Sequence, residues 1–131
     1  MSQSIPPAEN SAFFDVVDAL SAPSRRDIVS NIVAHPKGLP SMKELEFMTG
    51  LHRSTIYEHI DELHSAGLVE TETLPEEAVK RDQPRTFYRL TESARELFDK
   101  NDVFLEAHWR ELYATVSKPD EIIEAEEAPR P

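Results

Sequence analysis

Residues 41–69 read SMKELEFMTGLHRSTIYEHIDELHSAGLV, and the reading of this stretch decides the fold. Ser41-Met42-Lys43-Glu44 has capping-box spacing: the hydroxyl can accept from the Glu44 amide while the carboxylate reaches back to the Ser41 amide. The helix that starts there presents Met42, Leu45 and Met48 and stops at Thr49-Gly50, where glycine takes the left-handed conformation without a Cβ clash. A short turn follows. A second helix, Arg53 to Ala66, places Ile56, Ile60 and Leu63 at i, i+4 and i+7, and Gly67 ends it. Two short helices joined by a glycine-bearing turn predict a helix-turn-helix.

On the C-terminal side the apolar period changes to two, first over Leu68 to Leu74 and again over Thr86 to Leu90. Threonine, valine, phenylalanine and tyrosine enrich both runs, as half-buried strands require. Pro75 to Arg85 is too long for a tight hairpin turn and holds Lys80, Arg81 and Arg85, so the hairpin reads as a basic-tipped wing. Thr91 caps a helix expected to run to about Val116, because no Gly or Pro falls between Glu92 and Ser117. Its apolar residues are Leu97, Phe98, Phe104, Leu105, Trp109, Leu112, Tyr113 and Val116. That face is too wide and too aromatic to cap a small core, and together with Phe13 it is expected to form a two-fold dimer interface. The alternative is packing within the chain on Phe13, Phe14 and Val17.

On the N-terminal side, Phe13, Val16, Val17 and Leu20 mark one apolar helical face. Ser21-Ala22-Pro23 interrupts it, and Pro23 or Ser24 opens a helix with Ile28, Val29, Ile32 and Val33 inward, ending near His35-Pro36. The expected organisation is mainly α with a small β-hairpin. It comprises a flexible segment 1–10, a winged helix-turn-helix domain 11–91, a long dimerisation helix 92–117 and a flexible acidic tail 118–131.

Composition narrows the function. The 131 residues include no cysteine, which removes disulfides, thiolate metal sites, cysteine nucleophiles and thiol switches. No stretch approaches the roughly 18 to 20 apolar residues of a membrane span, and residues 1–10 carry no signal-type apolar region, so a cytoplasmic protein with no membrane partner is expected. Asp and Glu number 25 against 14 Lys and Arg, a net charge of −11 that by itself counts against a nucleic-acid partner. The charge is uneven. Segments 25–53 and 74–91 are net positive by 2 and 1, while 54–73 and 92–131 carry −5 and −6. Nine of the bases are Arg and five are Lys, and an acid-rich, Lys-poor surface suits a cytoplasm at molar salt, where screening shortens to about 3 Å.

Leu51-His52-Arg53-Ser54-Thr55-Ile56-Tyr57-Glu58-His59-Ile60, continuing through Leu63 to Ala66-Gly67-Leu68-Val69, resembles the winged-helix transcription regulators of the ArsR and PadR type. It shows their Ser/Thr-rich helix start, His-aliphatic pair and Ala-Gly-Leu-Val entry into the wing. Ala22-Pro23-Ser24-Arg25-Arg26-Asp27-Ile28 is similar to the opening of the second helix in ArsR-like proteins. The resemblance covers residues 12 to about 117. With the acidic composition it resembles a haloarchaeal regulator of reactive-oxygen stress, and it implies a homodimer that binds double-stranded DNA.

In that setting the helix 53–66 would enter a major groove N-terminus first. Ile56, Ile60 and Leu63 face inward, leaving His52, Arg53, Ser54, Thr55, Tyr57 and Glu58 toward DNA. Arginine can donate twice to guanine, and glutamate can accept from cytosine. Ser41 and Lys43 are expected at the phosphate backbone, and Lys80, Arg81 and Arg85 in a flanking minor groove or along its phosphates. Arg89 is either structural or phosphate-facing, and His59 either packs or touches DNA. Glu58, Asp61 and Glu62 are either a solvated acidic face or holders of monovalent cations against the phosphates.

Two other functional classes compete with this reading. A metal-sensing regulator would draw ligands from Asp99, Asp102, Glu106 and His108, which share a helix face only in part, and the absence of Cys counts against it. A winged helix used purely for protein interaction has no need of Lys80, Arg81 and Arg85 together. An enzyme is not expected, since no phosphate-binding glycine loop or nucleophile elbow is present; no metal or cofactor is expected either.

Overall fold

A computed structural model describes residues 8–131, with side chains from residue 12 onward. Four helices build the front of the molecule: α1 (Ala8–Ala19), α2 (Pro23–Ala34), α3 (Met42–Thr49) and α4 (Arg53–Ser65). Pro23 sits in the first turn of α2, where its missing N–H costs nothing, and Ile28, Val29, Ile32 and Val33 are all buried. The α3 capping box is complete, and Gly50 closes the helix at φ 72°. Ile56, Ile60 and Leu63 of α4 are buried, as their spacing requires. Full burial of each such side chain stabilises the fold by about 2 kcal/mol.

The wing follows as β1 (Val69–Thr73) and β2 (Thr86–Leu90), antiparallel with Val69 opposite Leu90 and Thr73 opposite Thr86. A 3-10 turn at Glu76–Ala78 lies in the connection. Tyr88 packs in the core and Phe87 is buried on the opposite face of the hairpin, and Ser41 forms an isolated bridge to Phe87 that joins the start of α3 to the hairpin. The chain thus folds as a winged helix-turn-helix, mainly α with one small hairpin.

Beyond the wing the structure corrects the sequence reading. Instead of one helix over 92–117 there are two, α5 (Glu92–Lys100) and α6 (Glu106–Ala114). Asn101 closes α5, and Asp102 and Phe104 take positive φ values of 53° and 50°. This reversal lays Phe104 on Phe98, ring centroids 4.8 Å apart. The break places Asp102, a residue type that tolerates it, in left-handed geometry, and contact with Phe98 holds Phe104 in it.

The segment 118–131, expected to be a flexible tail, instead forms α7 (Asp120–Glu127), which packs on α3 through buried Ile122 and Ala125. Ala128 is buried beyond it. The flexible segment expected over 1–10 lies outside the described residues up to residue 7, while residues 8–10 open α1.

The dimer face divides accordingly. Phe98 and Tyr113 are buried in the chain's own interior, and Phe104 and Trp109 pack partly buried against its core. They are therefore core residues first. Phe13, Leu105, Leu112 and Val116 remain exposed, as do Phe14 and Val17 of α1. Leu97 is half-buried and lines an apolar groove with Phe13, Val16 and Leu68.

Candidate nucleic-acid interface

The first turn of α4 is held from two sides. His52 caps it, its Nδ1 accepting from the Ser54 amide at 3.2 Å and pairing with the Ser54 hydroxyl at 2.9 Å. Arg53 projects from the helix start and donates through Nε and Nη2 to one oxygen of Glu46 on α3, at 3.2 and 2.7 Å. The remaining guanidinium nitrogen is free of this pair, and the Arg53 side chain is 54% exposed. The ion pair links the two helices and sets the direction of the fork, though in an exposed position it adds little stability.

One turn on, Tyr57 is exposed beside Tyr88 of β2. Burial raises the Tyr88 phenol to about 12, with the charge and hydrogen bond of Tyr57 adding to the shift and Arg53 opposing it. The Tyr88 phenol therefore stays protonated at any ordinary pH. Glu58 is exposed on the same helix, Thr55 is half-buried, and half-buried His59 faces Arg25 of α2, Nη1 to Nδ1 3.4 Å.

Phosphate-contact candidates fall in two groups. Lys43 is exposed at the start of α3 and lines one cleft with Arg81 and Gln83 of the wing connection. Lys80 and Arg85 are also exposed, and Arg85 donates back to the Leu74 carbonyl at 3.2 Å, bracing the base of the wing. Ser41 and Arg89 behave otherwise. Ser41 is 1% exposed and its hydroxyl is bonded to Glu44, so it cannot turn to a phosphate. Arg89 pairs across the hairpin with Glu70 and Glu72, which neutralises it in a structural role.

A buried polar network behind the interface escaped the sequence reading. The Glu44 carboxylate accepts from His35 Nε2, the Ser41 amide, the Ser41 hydroxyl and Arg130 Nη2, each at 2.8 Å. Burial alone would raise this carboxyl; the hydrogen bond and charge of His35, the Ser41 amide and the Arg130 charge outweigh it and hold it below the usual range. Arg130 also donates to the carbonyls of Leu39, Ala125 and Ala128 and lies over the Phe87 ring at 4.4 Å. Beside it, Glu126 accepts from Tyr113 and Lys118, both at 2.7 Å. Capping-box spacing pointed to Glu44; nothing local pointed to Arg130 or His35.

Metal-sensing ligands do not assemble as expected. Among the described residues, one group of His and carboxylate atoms lies close enough to share an ion, His35 with Glu44 and Glu126, and it excludes Asp99, Asp102, Glu106 and His108. Arg130 and Lys118 already neutralise its carboxylates. Glu106 is taken by Arg95 and Arg110.

The hairpin after a two-helix unit whose second helix is capped and half-exposed defines a winged helix-turn-helix protein. Solved structures agree. A protein with a GntR superfamily winged-helix-turn-helix domain from Halomicrobium mukohataei is similar with a TM-score of 0.84 and 26% identity, over 99% of this chain and 93% of that one. The homodimeric winged helix-turn-helix DNA-binding domain of a possible ArsR-family transcriptional regulator from Mycobacterium bovis is similar with a TM-score of 0.56 and 20% identity, over 91% and 100%. An ArsR-like transcriptional regulator from Rhodococcus sp. RHA1 gives 0.54 and 19%, over 82% and 92%. No family model and no curated protein matches the chain. Among the described residues no helix is long and apolar enough to cross a membrane.

Proposed function

We propose that the chain is a sequence-specific DNA-binding transcription regulator that acts as a homodimer at high salt. The observation that carries this reading is the first turns of α4: Arg53, Tyr57 and Glu58 stand exposed on a helix whose opposite side is locked in the core. Such a helix presents its N-terminal residues to base edges in a major groove. Arg53 would read a base, His52, Ser54 and Thr55 would fix register at the helix start, and Lys43, Lys80, Arg81 and Arg85 would meet phosphates.

Homodimer formation is supported by the exposed apolar residues Phe13, Phe14, Val17, Leu105, Leu112 and Val116, and by the homodimeric Mycobacterium bovis neighbour. Action at high salt, in an archaeal cytoplasm, is supported by the net charge of −11 and by the Halomicrobium neighbour. Monovalent cations would then bridge Glu58, Asp61 and Glu62 to the phosphates, giving a salt dependence shallower than the usual counterion-release slope of about −0.9 per phosphate contact. The test is selection of bound sequences from a random duplex pool at molar KCl. A palindrome with half-sites about one helical turn apart is the expected result; absence of enrichment overturns the reading.

A further inference from the structure

The last helix lies against the proposed phosphate-contact surface. Helix α7 carries Asp120, Glu121, Glu124, Glu126 and Glu127 and no base. Its inner residues Ile122 and Ala125 are buried against α3, which turns Glu121, Glu124 and Glu127 outward. These three line one cleft of about 420 Å³ together with Lys43 of α3 and Arg81 of the wing connection. Within it Glu121 Oε2 approaches Lys43 Nζ at 3.9 Å, with the two side chains 67% and 49% exposed.

We propose that α7 is a built-in competitor for the DNA backbone: its outward glutamates occupy Lys43 and Arg81 electrostatically, and a phosphate must displace them. This regulation rests on the DNA-binding reading of the same surface. Three points carry it. The position of α7 is fixed, because Arg130 just beyond it is tied to buried Glu44 and to the Leu39 carbonyl. The contact is loose and solvated, so a phosphate can replace it at small cost, unlike the tight pair of Glu126 with Lys118 at 2.7 Å on the inner side of the helix. A duplex resting on Lys43 and the wing also brings its phosphates to the cleft that Glu121, Glu124 and Glu127 line. Like charges there repel strongly at low ionic strength and hardly at all when the screening length falls to about 3 Å in molar salt. The helix thus weakens binding in dilute salt and is silent in concentrated salt, opposite in sign to counterion release.

The experiment compares the full chain with Glu121→Gln/Glu124→Gln/Glu127→Gln, each with and without Lys43→Gln. The probe is a mixed-sequence duplex of about 30 base pairs, long enough for two half-sites a helical turn apart. Anisotropy titrations run from about 0.2 M to about 2 M KCl, across which the screening length falls several-fold. All these side chains are exposed, and equal melting temperatures confirm intact folds. The triple variant is expected to bind about tenfold tighter than the parent chain at the low-salt end, for three phosphate-facing charges removed, and within about twofold at the high-salt end. Lys43→Gln should cost more affinity in the triple background than in the parent, because only there is Lys43 free of Glu121. Equal affinity of parent and triple variant at low salt overturns the competitor role while leaving DNA binding standing. A gain that persists undiminished at the high-salt end also overturns it. Failure of every form to bind the duplex at any salt overturns the DNA-binding reading, and the competitor role with it.

Discussion

Arg130 Nη2 donates to Glu44 Oε2 at 2.8 Å, joining residues 86 apart in the chain at a point where the Glu44 side chain is 1% exposed and the Arg130 side chain 6%. Glu44 is also the capping-box residue of α3, so the segment after α7 stabilises the start of the helix-turn-helix directly. Every guanidinium nitrogen has a partner, and among the described residues no buried side-chain polar atom is left unpaired. A buried pair of this kind costs much to break because the survivor keeps its charge without compensation.

Arg130→Ala should therefore lower the stability of the fold by about 3 kcal/mol, within the range for removing one member of a buried pair. Chemical denaturation of the two forms measures it. Lys118→Ala, which removes an ammonium 14% exposed from Glu126, should cost less. Equal stability of Arg130→Ala and the parent chain would show that the last segment contributes nothing to the fold.

The same network sets a pH response. Glu44 has its folded pKa held below the ordinary value of 4.5, so the stability it confers is complete above that value and is lost as pH falls through the lower, folded one. Tyr113 is shifted upward, first by burial and then by its hydrogen bond to Glu126, so its contribution is complete below pH 10.0 and is lost as pH rises beyond it. Melting temperatures across pH should be level between these limits and fall on both sides. Glu44→Gln should start from a lower plateau and flatten the acid limb; an unchanged acid limb in that variant would exclude Glu44 as its source.

Much of this was legible in the sequence, and the boundary of legibility has a physical cause. Capping-box spacing, Gly50, the Ile56-Ile60-Leu63 stripe and the alternating strands are local signals, and the structure follows them. The break after α5 was not legible, because no Gly or Pro marks it and the left-handed turn at Asp102 and Phe104 is held by the tertiary contact of Phe104 with Phe98. Wide aromatic spacing read as a dimer face was largely a core face, since reversal of the chain turns Phe98 and Tyr113 inward. An acidic, proline-ended tail looked unfolded because its anchor, Arg130, finds partners that only tertiary structure supplies. At the candidate interface the exposure of Arg53, Tyr57 and Glu58 followed from helical periodicity, whereas Ser41 is buried and held by its own capping box with Glu44, and Arg89 is claimed by Glu70 and Glu72 across the hairpin.

Exposed apolar groups are the proposed dimer contact. Phe13 is 51% exposed beside a groove formed with Leu97 and Leu68, so Phe13→Glu should leave the subunit folded and halve the mass seen by sedimentation. A dimer of unchanged mass would place the interface elsewhere, at Leu105, Leu112 and Val116.

Arg53 carries the central claim. Loss of one bidentate arginine contact to guanine costs about 1 to 3 kcal/mol and relaxes discrimination at that base, whereas loss of a phosphate contact weakens all sequences alike. The direct measurement is an anisotropy titration, at molar KCl, of the parent chain and Arg53→Ala against the duplex selected from a random pool and against its scrambled counterpart. The parent should prefer the selected duplex by at least about a hundredfold, and Arg53→Ala should lose about tenfold or more of that preference while binding the scrambled duplex nearly as before. Equal preference in the two forms, or no preference in the parent, would contradict the assignment of this helix as the reader of DNA sequence.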